Sequence, residues 1–158
     1  MEELFAYRAD LLTALGGVVD ELSNVVANLP PSTWLQPIHP GSRTPHYILF
    51  HLRELEAQVF ARQLPRILSE ARPELPVFND AAWMEGHYRA EEPASSLLEE
   101  LAKLRQQELA WLRSLPPAGW SSPARHPWWG EHTLQWWVEL QVEYSYQHLK
   151  EISSALKL

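Results

Sequence analysis

Thirteen prolines punctuate the 158-residue chain, and the stretches they leave free limit what it can fold into. Inside a helix, proline removes a backbone donor and clashes with the preceding turn, at about 3 kcal/mol. Long proline-free windows remain at residues 1–29, 46–64, 94–115 and 128–158. Each carries apolar residues at helical spacing. In the first, Leu4, Leu11, Val18 and Val25 form a stripe reinforced by Leu15, Leu22 and Leu29. The second opens at Thr44-Pro45, a helix cap followed by proline at the first helical position, and continues with Ile48, Leu52, Leu55 and Val59. Pro65 should kink or end it. The third carries Leu97, Leu98, Leu101, Leu104, Trp111, Leu112 and Leu115; the last carries Leu134, Val138, Val142, Leu149, Ile152 and Leu156. Helices are expected over residues 2–28, 45–69, 93–115 and 131–156. Residues 71–93 read as a crossover with a short helix over Asp80–His87, and 119–130 as a loop. No strand-like alternation is visible. The fold class is all-α: one domain over residues 1–158, a four-helix bundle with its long crossover between helices 2 and 3.

Composition narrows the function. Hydrophobic residues make up 46%, enough for a packed core. The absence of cysteine excludes disulfides, thiolate metal sites and cysteine nucleophiles, and fits a reducing compartment. Met1-Glu2-Glu3-Leu4 shows neither a basic leader nor a long apolar run, and no stretch approaches the roughly 20 apolar residues of a membrane span. A cytoplasmic protein without membrane contact is expected. A net charge of −7 and the lack of a basic, aromatic-rich patch argue against nucleic acid. The eight tryptophans include two adjacent pairs, Trp128-Trp129 and Trp136-Trp137. Neighbours cannot share one helix stripe, so some indole must line a pocket, an interface or solvent. Together with the apolar first helix, they lead us to expect a homodimer.

Two histidines carry the candidate chemistry. His148 follows Tyr144 by four residues, so the two share a helix face. His51 lies in the second helix. On a helical wheel His51 falls roughly 70°, and His148 roughly 75°, off the centre of its apolar stripe. Two facing helices would bring His51, Tyr144 and His148 together at the edge of a polar cleft. Gln141 would stand beside His148, and Gln58 and Arg62 beside His51. Glu108 either faces this cleft, on the stripe of Leu104 and Trp111, or turns away if the stripe runs through Leu98, Leu109 and Leu112. Glu54 and Glu56 read as solvated. Two imidazoles are most of a divalent-metal site; the same positions suit hydrogen-bonded boundary residues. No serine sits in a Gly-x-Ser-x-Gly turn. The tryptophan-rich loop suits a flat apolar ligand or packing over the end of the bundle.

The run His51-Leu-Arg-Glu-Leu-Glu-Ala-Gln-Val-Phe resembles the second helix of the DinB-like (YfiT-like) bundle proteins. So do Trp120, the segment His126-Pro-Trp-Trp-Gly-Glu-His-Thr-Leu134 and the helix through His148-Leu-Lys-Glu-Ile152. The resemblance implies a four-helix bundle, often dimeric, with one metal-binding histidine on the second helix and two, spaced by four, on the last. His51 and His148 match two of these positions; Tyr144 occupies the third. It further implies a divalent metal, zinc or nickel, and a metal-dependent transferase or hydrolase acting on a small-molecule or thiol substrate. A non-catalytic ligand-binding or dimerising bundle that has lost its metal is the alternative.

Overall fold

The computed structural model describes residues 1–157. Six α-helices are present: α1 (Glu2–Asn28), α2 (Pro45–Leu55), α3 (Ala61–Ser69), α4 (Asp80–His87), α5 (Ala94–Arg113) and α6 (Leu134–Ser153). A five-residue π-turn, Glu56–Phe60, joins α2 and α3 into one rod, so the bundle has four long members. The expected span 45–69 is therefore helical throughout but not regular. A π-turn inserts an extra residue into the helical ladder and swings the side chains around it. Pro65 lies inside α3 on its exposed side, where the carbonyl deprived of an N–H can be solvated. That is why the helix survives it.

Caps fix two of the starts. Thr44 accepts the Tyr47 N–H at 3.1 Å, and Thr133 accepts the Trp136 N–H at 3.3 Å. The second cap places the start of α6 at Leu134, three residues beyond the expected start. The residues before it form a small β-hairpin, β1 (Pro123–His126) with β2 (Gly130–Thr133). Sequence alone suggested a loop here because four-residue strands are too short to show alternation. Gly130, with φ +80°, supplies the left-handed residue that closes the turn. The crossover docks on this hairpin: the Leu75 N–H donates to the Arg125 carbonyl at 2.7 Å, and the Arg125 N–H to that of Pro73 at 2.9 Å.

α1 packs on α5 and α6, and α2 packs on the same two helices. α1 and α2 thus stand at opposite corners, and the 29–44 connection crosses the bundle. No helix among the described residues is long and apolar enough to cross a membrane.

The interior has two apolar clusters. One gathers Leu22, Phe50, Leu97, Leu149 and Ile152; the other gathers Leu15, Phe60, Leu64, Leu112, Leu134 and Val138. On the α2–α3 rod, α5 and α6 a polar layer separates them. Arg105 donates to Glu56 through Nε (3.1 Å) and Nη2 (2.9 Å), to the Leu15 carbonyl (2.9 Å) and to Ser145 Oγ (3.2 Å). Gln141 Nε2 donates to Glu56 (3.0 Å) and Glu108 (2.9 Å). Glu56, expected to be solvated, is only 1% exposed, and Glu54 is buried as well. The π-turn begins at Glu56 and the Arg105 guanidinium compensates its charge, which makes that burial tolerable.

Candidate functional site

His51 on α2 and His148 on α6 meet at the lip of the polar layer. His51 Nδ1 and His148 Nε2 are 3.1 Å apart, with ring centroids at 4.9 Å. Their other contacts define which nitrogen holds which proton. His148 Nδ1 lies 2.7 Å from the Tyr144 carbonyl oxygen. A carbonyl only accepts, so Nδ1 carries the proton and Nε2 presents a lone pair. His51 Nε2 lies 2.5 Å from Asp80 Oδ1, at the start of α4. An Arg43 guanidinium N–H donates to His51 Nδ1 at 3.2 Å, while Arg43 is itself paired with Glu151. That arrangement leaves Nε2 as the donor to Asp80, and the single Nδ1 lone pair takes the Arg43 N–H while lying beside that of His148. Two lone pairs so close repel, and the Arg43 guanidinium beside them is the cation that offsets the repulsion. Burial lowers the pKa of His148 below the ordinary histidine value, partly offset by its carbonyl partner. Its neutral, lone-pair form is therefore favoured.

Tyr144 lines the same cleft as the two histidines. Its phenol is not what holds them: the ring nitrogens take Asp80, Arg43, the Tyr144 main chain and each other. Burial, then the Asp80 carboxylate, raises the Tyr144 pKa above that of an ordinary phenol. Deprotonation to a metal-binding phenolate is disfavoured accordingly.

Glu108 does not reach this site. It lies in the polar layer with Gln141 and Glu56, on a packed face that takes Leu97 and Leu101 from one expected stripe and Leu109 and Leu112 from the other, so it points into the core and not the cleft. Burial and the adjacent Glu56 carboxylate raise its pKa well above the usual range, whereas Arg105 holds Glu56 low against the cost of burial. The protonated form of Glu108 and the charged form of Glu56 are thus favoured. Gln141, expected beside His148, belongs to the same layer. Gln58 and Arg62 pair with each other on an exposed face. Three of the remaining histidines have structural partners. His46 accepts from the Tyr88 hydroxyl at 2.9 Å and faces the Glu92 carbonyl at 2.5 Å. His87 stacks on Trp83, and His132 on Trp136.

The cleft itself differs from the polar one expected. It encloses about 260 Å³ and runs from the histidines under the hairpin. Leu55, Val59, Phe60, Leu64 and Phe78 line it, roofed by His126, Trp128, Trp129 and Trp137. Helical spacing gives no sign of the contact between Asp80 and His51. The place of Asp80 at the first turn of a short helix was legible; its approach to a histidine 29 positions away was not.

A family model for the DinB superfamily matches residues 14–152. The chain belongs to the DinB superfamily. Among solved structures, YfiT from Bacillus subtilis, a probable metal-dependent hydrolase with an unusual four-helix bundle topology, superposes with a TM-score of 0.83 at 22% identity, covering 94% of this chain and 85% of that one. TT2238, a four-helix bundle protein, gives 0.63 at 19% identity, covering 92% of this chain and 98% of that one. At these identities the likenesses speak for the fold. No curated protein matches the sequence.

For this DinB-superfamily chain the fit of a metal can be tested on the donor set. Two imidazole nitrogens 3.1 Å apart span what two ligands of one ion span when each bond is about 2.0–2.1 Å. Asp80 faces the far nitrogen of His51, the place of an orienting carboxylate rather than of a further ligand. Among the described residues no group of three or more His, Cys, Asp or Glu side chains is disposed to hold a metal. Two imidazole nitrogens fit two positions of an ion once the Arg43 N–H withdraws from His51, and no third His, Cys, Asp or Glu among the described residues completes the set.

Proposed function

We propose that this protein is a metal-dependent hydrolase or transferase of the DinB type, in which His51 and His148 hold a divalent zinc or nickel ion at the end of an apolar cleft. The observation that carries this reading is the 3.1 Å convergence of His51 Nδ1 and His148 Nε2 on the wall of that cleft. A bound divalent ion would supply Lewis acidity toward a small substrate's carbonyl or thiol. The chain's own groups do the rest. Asp80 takes the Nε2 proton of His51 in a hydrogen bond and so fixes which nitrogen faces the centre. The Tyr144 carbonyl does the same for His148. The hairpin roof screens the reacting end from water, which strengthens every electrostatic interaction inside.

The phenol at Tyr144 favours a second reading: a small-ligand-binding bundle that works without a metal. Calorimetric titration with zinc and with nickel separates the two. One ion per chain, lost in His51→Ala and in His148→Ala, supports the first. No binding of either ion supports the second. Tyr144→His supplies the missing imidazole and should raise affinity about ten-fold or more; unchanged affinity in a folded variant would show that position 144 does not face the ion. The exposed residues Leu4 and Phe5 near the start of α1 offer a surface for the homodimer we propose. Light scattering at high micromolar concentration should then give about twice the 18.3 kDa chain mass.

A further inference from the structure

Arg43 holds the nitrogen of His51 that a metal ion would need. Its Nη1 donates to His51 Nδ1 at 3.2 Å, and that nitrogen has a single lone pair. Glu151, one turn beyond His148 on α6, takes two other donors of the same guanidinium: Nε reaches Oε1 at 3.1 Å, and Nη2 pairs with Oε2. Three N–H groups of one rigid plane thus tie His51 on α2 to Glu151 on α6. A planar fork held at two points cannot move its third point alone. Nη1 therefore leaves His51 only when the guanidinium shifts on Glu151 as well.

The backbone around Arg43 is fixed, but its side chain is not enclosed. Ile38, itself buried, donates its N–H to the Arg43 carbonyl at 3.2 Å, and Thr44 caps α2. The Arg43 side chain is 37% exposed and borders an open depression of about 470 Å³ with Leu35, Thr44, Tyr47 and Tyr88. Among the described residues this depression shares no lining side chain with the apolar cleft. The guanidinium thus has room to turn away from His51 without entering the cleft, beside aromatic rings whose faces attract a cation. We propose that Arg43 and Glu151 form a latch on the histidine centre, closed while the guanidinium occupies His51 Nδ1 and open when it turns into the depression. The proposal rests on the preceding reading of His51 and His148 as metal ligands. Arg43 and a divalent ion compete for one lone pair, so the affinity of the centre falls with the fraction of chains whose latch is open. The closed latch also supplies the cation that the two facing lone pairs require, which leaves less for an ion to gain.

Calorimetric titration of the full chain with zinc, compared between wild type and Arg43→Met, tests the latch. The variant should bind zinc about ten-fold or more tightly, the factor that one charge-assisted hydrogen bond carries. Its denaturation midpoint should stay nearly fixed, since a partly exposed ion pair contributes little. Arg43→Lys keeps the charge and loses the fork, so part of the gain should remain; an affinity equal to wild type would assign the effect to charge alone and overturn the latch. In the wild type, labelling of Arg43 by phenylglyoxal, read by mass spectrometry, should quicken once zinc is bound, a response that a purely structural ion pair would not show. Labelling indifferent to bound zinc overturns the proposal, as does weaker zinc binding by Arg43→Met. Failure here is separable from failure of the metal reading. Equal zinc affinity in wild type and Arg43→Met removes the latch and leaves the metal centre standing. Zinc binding by neither protein removes both.

Discussion

Two polar clusters share the same pair of helices and have opposite characters. Glu56 and His51 both come from the rod that begins as α2; Gln141 and Ser145 share α6 with Tyr144 and His148. In the layer, Glu56 has Arg105 and Gln141 as partners and is sealed between two apolar clusters. At the histidine centre the lone pairs face each other, Asp80 is 47% exposed at its side chain, and the whole group opens on a cavity. A charged group satisfied by its neighbours specifies how helices meet. A group that opens on a cavity is available to a ligand. The difference between them is access, not residue type: carboxylates stand in both, and the sealed layer itself leaves Glu108 Oε1 and Gln141 Oε1 without a partner among the described residues.

The comparison breaks most readily at Arg105. Arg105→Met leaves the Glu56 charge buried without compensation and should lower stability by about 3–5 kcal/mol, read by urea denaturation. If the clusters are independent, refolded variant protein should keep its affinity for zinc or nickel. Asp80→Asn should behave in the opposite way. It should cost about 10–100-fold in metal affinity or activity, as the loss of orienting carboxylates does elsewhere, while the denaturation midpoint stays nearly fixed because Asp80 is half exposed. A large loss of stability in Asp80→Asn would show that the histidine centre is structural too.

Glu108→Gln sharpens the comparison by pH. A carboxyl whose pKa is raised in the folded state binds its proton more tightly than in the unfolded chain. Its contribution to stability is full below the unfolded value near pH 4.3 and is lost as pH rises toward the folded value. Glu56, held low by Arg105, works in the other direction: its contribution is present above the unfolded value and lost as pH falls through the folded one. Glu108→Gln should therefore remove the decline in stability above about pH 4.3 and leave the acid limb in place. Thermal melts across pH would show it; an unchanged alkaline-side slope would mean that Glu108 does not hold the proton.

The leucine stripes announced the bundle because burial repeats with the helical period. Leu15, Leu22, Leu97 and Ile152 are fully buried where that period puts them. Positions 51 and 148 could be placed on facing helix edges for the same reason. What remained illegible depends on contacts with no period. The hairpin rests on two four-residue strands and a left-handed glycine, and the π-turn has no signature in the run Glu56–Phe60. Glu56 looked like a surface acid until Arg105, 49 positions later, was placed beside it. Helical spacing makes the cleft polar by setting Gln58, Arg62 and Gln141 beside the histidines; in the structure Gln58 and Arg62 turn to solvent and Gln141 into the core layer.

The diagonal placement of α1 and α2 has a consequence for how the chain is made. The partners that cover Leu15, Leu22 and Val25 sit in α5 and α6, which begin at residues 94 and 134. Synthesis at about 5–20 residues per second leaves the apolar stripe of α1 waiting on the order of several seconds for its first cover. During that interval the nascent chain has no native half to settle into, and contacts between distant segments make this bundle a slower folder than one whose neighbours follow in order. For such a topology, protection at the ribosome exit matters more than helix propensity does.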